Sequence, residues 1–196
     1  MRAPGRPRGF DMDDAIAKAQ ALFWRDGFAG ISLTTLASAV GVHKPSLYAA
    51  YGDKRDLYIA AFDAYQKVAS KLVAAALGEE RLRDALTAFF TADLDLFLAG
   101  SGRGCFMLAT TVPLALGDDD MAARVRQSLD GLRAALARRV ERASEDGHLS
   151  KALDPATATD IIMSTHIALA NRARVGTNRA ELEMTAYRVV DLVCRT

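Results

Sequence analysis

The sequence predicts an all-α protein of about nine helices: a small three-helix N-terminal head containing a helix-turn-helix, then a larger helical bundle. Three observations predict it. Apolar residues recur three and four apart along nearly the whole chain, and the alternation of a half-buried strand is absent. Asp, Ser or Asn stands before most of these periodic segments and Gly after many of them, as helix caps require. Two early segments are short and joined by a Gly-containing turn, behind a longer supporting helix.

Asp11 is placed to cap the first helix, with Asp13 and Asp14 at the positive end of its dipole, and Gly27 ends it. Ser32 caps a short helix, Leu33 to Val40, which Gly41 stops. The next short helix runs from about Lys44 to Tyr48 or Ala50. Pro45 is acceptable in its first turn because amides there have no intrahelical partner. Asp53 caps a long helix, Lys54 to Leu77, whose stripe is Leu57, Tyr58, Ala61, Phe62, Tyr65, Val68, Leu72 and Val73. Leu82 to Leu98 is the fifth helix. The sixth, Cys105 to about Leu116, is apolar nearly all round and should be central. Helices from Met121 to Glu145, from Pro155 to Arg174 and from Asn178 to about Cys194 complete the chain. The expected organisation is a flexible basic arm at 1–10, a head at 11–53 and a body at 54–196.

Half of the residues are hydrophobic, so a core forms without metal or disulfide staples. Cys105 and Cys194 fit no zinc or disulfide spacing, which favours a reducing, cytoplasmic setting. No apolar run reaches the roughly 18 residues of a membrane helix. Met1 to Phe10 lacks the apolar stretch of a signal peptide. Net charge is only +1, yet residues 1–55 hold eight basic and five acidic side chains, a basic head on a slightly acidic body.

The segment His43 to Tyr51 suits a major groove about 12 Å wide. His43, Lys44, Ser46 and Tyr48 offer polar groups, Leu47 can anchor inward, and Ala49 and Ala50 take little space. Lys54 opens the next helix close by, where it can clamp flanking phosphate. The run Gly41-Val42-His43-Lys44-Pro45-Ser46-Leu47-Tyr48, followed by Tyr51 and Lys54, resembles the DNA-binding motif of the tetracycline-repressor (TetR) family. Ala21-Leu22-Phe23, Gly27-Phe28 and Ser32 to Ala37 extend the likeness over residues 10–60, and Arg103-Gly104-Cys105 matches part of the family. His43 departs from the pattern, standing where Ser or Thr usually caps.

The resemblance implies contacts to double-stranded operator DNA from Thr34, Thr35, Lys44, Ser46, Tyr48, Tyr51 and Lys54. Tyr48 and Tyr51 also read as half-buried core aromatics. In the arm, Arg6 and Arg8 flank Pro7 and read either as a minor-groove hook or as a solvated tail.

The body shows no catalytic constellation, metal set or cofactor motif. Its polar interruptions Asp93, Thr110, Thr111 and His166, with walls from Phe62, Tyr65, Phe89, Phe90, Phe97, Phe106, Met107 and Met163, outline a pocket for an unknown small-molecule effector or, alternatively, a packed core. Cys105, after Arg103 and at a helix start, reads either as a thiol of lowered pKa suited to redox or electrophile sensing or as a small buried hydrophobe. Ile161, Ile162 and Leu169 with Leu182, Val189, Val190 and Val193 form apolar faces on the last two helices, where the resemblance implies a homodimer. The function expected is a ligand-responsive regulator, a repressor released from a palindromic operator. The rival is a helical enzyme or carrier without DNA binding.

Overall fold

The computed structural model describes residues 11–100 and 104–195. Among them are α1 (Met12–Asp26), α2 (Leu33–Val40), α3 (Lys44–Tyr51), α4 (Lys54–Leu77), α5 (Leu82–Leu98), α6 (Val112–Ala115), α7 (Asp119–Glu145), α8 (Pro155–Arg174) and α9 (Arg179–Val193). A π turn, Met107–Thr111, leads into α6. The basic arm, with Arg6 and Arg8, and Arg103 lie outside the described residues.

Local chemistry sets these boundaries. The Asp11 carboxylate accepts the amides of Asp13 and Asp14. Ser32 Oγ accepts the amide of Thr35. Asp53 and Asp56 cap α4 reciprocally, each side chain accepting the other's amide. Gly41 sits at φ 82°. This left-handed residue lets Val42 N–H reach back to the Ala37 carbonyl and turns the chain from α2 into α3.

The head's core is aromatic. Phe23 meets the ring of Tyr58 edge-on at 5.1 Å, and Phe28 meets it at 5.3 Å. Ala15, Ala19, Leu36 and Leu47 fill the space between. Burying each large side chain of this kind contributes about 1.5–3 kcal/mol.

Helix α4 packs against α1 in the head and against α5 and α7 in the body. Further ties join the two regions. Trp24 Nε1 donates to the Gly104 carbonyl at 3.1 Å, and Arg174 donates to the Trp24 carbonyl at 2.7 Å. Arg55 grips both carboxylate oxygens of Asp118, the N-cap of α7, at 3.0 Å and also donates to Asp120.

Three expectations are corrected. The sixth helix is not one central cylinder. Cys105 to Thr111 is mostly buried, but the segment then widens through the π turn, and Leu116 is 95% exposed. Val68 and Leu72, assigned to the α4 stripe, are exposed rather than buried; Leu72 borders a cavity, and Val68 does not line it. Ile162, Leu169, Leu182, Val190 and Val193 are buried within the subunit. They fill the packing of α8 and α9 against α5 and each other.

Candidate functional site

Two features of the structure can carry function: the outward face of α3 and a cavity in the body.

Leu47 is the one α3 side chain that is fully buried. It fixes which way the helix faces. His43, Lys44, Ser46 and Tyr48 consequently point outward and are exposed, and the Tyr48 ring keeps 47% of its surface open. His43 is the N-cap residue but makes no side-chain cap bond, so its imidazole is not spent on the helix end. Thr34 and Thr35 are exposed on α2, where Thr35 Oγ1 lies 2.9 Å from Ser32 Oγ.

Lys54 and Tyr51 are held more firmly. The Lys54 ammonium lies 4.4 Å above the Phe28 ring, and partial burial lowers its pKa. Tyr51 is half-buried and its hydroxyl donates to the Met12 carbonyl at 2.7 Å. That bond ties the end of α3 to the start of α1, so the side chain serves the packing of the head.

The cavity lies between α4, α5, α7 and α8 and encloses about 760 Å³. Of the residues expected to wall it, Tyr65, Phe89, Asp93, Phe97, Met107 and His166 do so, and Cys105 lines it as well. Phe62, Phe90, Phe106, Thr110, Thr111 and Met163 do not line it. Phe106 is packed among Trp24, Tyr58 and Tyr65. The two threonines are consumed by Tyr58, whose hydroxyl lies 2.8 Å from Thr110 Oγ1 and 2.7 Å from Thr111 Oγ1. Phe62, Phe90 and Met163 are core residues.

At the inner end of the cavity Asp93 Oδ2 and His166 Nδ1 are 2.6 Å apart, both buried. Phe89 stacks on the imidazole and Phe97 meets it edge-on. Burial raises the pKa of Asp93, and His166 opposes that rise. Beside this pair the Tyr65 hydroxyl donates to Cys105 Sγ at 3.3 Å.

Of the two readings of Cys105, the buried site favours the small packed hydrophobe over the thiol of lowered pKa. Bonds from Tyr65 and from the amides of Leu108 and Met107 favour the thiolate, but burial outweighs them and raises the pKa. The residue is 5% exposed, the environment of a small packed hydrophobe.

Sequence reasoning missed the opposite wall. Leu129 and Leu132 of α7 face the cavity, as do Arg138, Arg139 and Arg142. Arg138 and Arg142 are exposed, but Arg139 is buried, which only the long-range meeting of α7 with the α4–α5 connection reveals. No group of three or more His, Cys, Asp or Glu suited to a metal occurs among the described residues. No helix among them is long and apolar enough to cross a membrane.

Together these features define a helix-turn-helix head set on a helical body with an internal cavity. The family profile "Tetracyclin repressor-like, C-terminal domain" matches residues 78–187, and "Bacterial regulatory proteins, tetR family" matches residues 15–61. The chain belongs to the TetR family.

The HTH-type transcriptional repressor ComR of Escherichia coli K12 is 36% identical over 124 residues, 62% of this chain and 59% of ComR. The repressor BdcR of the same organism is 41% identical over 64 residues, 33% of this chain and 32% of BdcR. The chain thus spans about three fifths and one third of these relatives. Among solved structures, the regulator CifR, as a cysteine mutant complexed with 26-base-pair operator DNA, superposes with a TM-score of 0.77 at 28% identity. That match covers 96% of this chain and all of CifR.

Proposed function

We propose that this chain is a homodimeric, cytoplasmic transcriptional repressor that binds double-stranded operator DNA through α3 and leaves it when a small molecule fills the cavity. The observation that carries the reading is the outward face of α3: Leu47 is locked in, while Lys44, Ser46 and Tyr48 stand free. A helix so presented suits the major groove, and Thr34, Thr35 and Lys54 would contact the flanking backbone. Arg6 and Arg8 would reach the adjoining minor groove. The family membership and the operator complex of CifR support the same reading.

In this division of labour residues 1–10 form the arm, 11–53 read DNA, and 54–196 bind effector and dimerise. The dimer would use the surface that α8 and α9 leave uncovered. Val175, Met184, Tyr187 and Leu192 are exposed there, and Tyr187 keeps 62% of its surface. Two-fold symmetry then sets two α3 helices in successive major grooves, about 34–36 Å apart or a multiple of it. Effector binding would act through α4, which touches the cavity at Tyr65 and carries Lys54 at its other end. The effector must bind the two head arrangements unequally, since equal affinity shifts nothing.

Selection of bound fragments from genomic DNA tests the reading. A palindromic site bound by two subunits is expected. Failure to retain any fragment at modest ionic strength would sink it.

A further inference from the structure

The cavity is long and one-sided in charge. It follows α4 from Tyr65 to Gly78, which at 1.5 Å per residue is roughly 20 Å. Its middle is apolar, walled by Leu72, Val73, Leu96, Leu129 and Leu132. Three arginines line it, Arg138, Arg139 and Arg142, against a single carboxylate, Asp93, which already holds His166.

Arg139 is the unusual member. It is 7% exposed, and no carboxylate pairs with it among the described residues. Its Nη2 donates to the carbonyls of Glu79 and Glu80, at 3.2 and 2.9 Å, while Nη1 has no hydrogen-bond partner. A buried cation with no direct ion pair is costly, and the nearby charge of Asp146 offsets only part of that cost. Burial accordingly draws its pKa downward. Arg138 and Arg142 stand exposed beside it, and only Arg142 has an ion pair among the described residues, with Asp146 at 3.7 Å.

We infer that the cavity takes an elongated amphipathic anion, its acidic group held by the cluster of Arg138, Arg139 and Arg142 and its apolar chain laid along Leu72, Val73, Leu129 and Leu132 toward Phe89 and Phe97. The orientation follows from charge. Asp93 stands at the inner end, whereas the other end gathers three arginines against one nearby carboxylate, Asp146, which pairs with Arg142. The inference rests on reading this cavity as the effector site.

The probes are dodecanoate, dodecanol and dodecylamine, titrated into the full chain below their micelle concentrations. Trp24 is the sole tryptophan and meets the ring of cavity-lining Tyr65 at 5.3 Å, so its emission reports occupancy, with calorimetry giving stoichiometry. One dodecanoate per subunit is expected, bound about tenfold or more tighter than dodecanol, with dodecylamine weakest. Arg139→Met should abolish that preference while dodecanol binding persists. Should Arg139→Met fail to fold, the exposed pair Arg138→Gln/Arg142→Gln must still weaken dodecanoate and leave dodecanol unchanged. Equal binding of the acid and the alcohol, or a preference that survives these changes, overturns the inference. Because binding is read without DNA, dodecanoate-binding protein that ignores every DNA fragment refutes the regulator reading alone. Protein that binds an operator yet prefers dodecanol refutes the ligand class alone.

Discussion

Tyr58→Phe removes one oxygen from the junction between α4 and the π turn. Thr110 Oγ1 donates to the Phe106 carbonyl at 2.7 Å, so its hydrogen is spent. Tyr58 must therefore donate to Thr110, and Thr111 must donate to Tyr58. The three hydroxyls form a directed chain that ends on a backbone carbonyl, and all three residues are buried. Phenylalanine keeps the ring contacts with Phe23 and Phe106 but strands the Thr111 hydroxyl. A buried donor left unmade costs about 1–3 kcal/mol, whereas Thr110 keeps its own bond. The expected loss is about 2 kcal/mol in denaturant unfolding at fixed protein concentration, with an unchanged m-value. Adding Thr111→Val removes the stranded group, so the double variant should recover about 1 kcal/mol relative to the sum of the singles. A Tyr58→Phe protein within about 0.5 kcal/mol of the parent, or strict additivity of the pair, refutes the directed chain.

Gly104→Ala should cost more than about 2 kcal/mol, because Gly104 has φ 80° and an added Cβ would lie 2.5 Å from the Ala170 carbonyl oxygen; thermal melts followed by Trp24 emission check it. Asp93 has its folded-state pKa raised, so its contribution favours folding at low pH and is lost as pH rises through that pKa. Asp93→Asn should therefore flatten the fall in stability above the ordinary aspartate range, read from unfolding free energy against pH. Burial raises the pKa of Cys105 and pushes Cys194 up to about 11, so both thiols should alkylate slowly at pH 8 until the protein unfolds; fast native labelling of Cys105 would restore the sensor reading.

The ends of α2 and α4 were legible because capping is local. Ser32 and Gly41 bracket the first, and Asp53 with Asp56 starts the second, all acting within four residues of chain. The outward face of α3 was legible for the same reason, since Leu47 is its single large aliphatic. The π turn was not, because the Tyr58–Thr110–Thr111 chain depends on a partner more than 50 residues away. Arg139 was hidden likewise. Its burial comes from carbonyls of the α4–α5 connection, and nothing near it in sequence distinguishes it from its exposed neighbour Arg138. The faces of α8 and α9 misled because periodicity gives an apolar side without saying whether it meets its own subunit or another.

The most direct test of the central claim is the salt dependence of operator binding by the parent, Lys44→Ala and Tyr48→Ala proteins on a selected genomic site. The account predicts two subunits per site, weaker binding by both variants, and a log–log salt slope about 0.9 shallower for each phosphate that Lys44 no longer neutralises. Parent-like affinity and slope in both variants would contradict it.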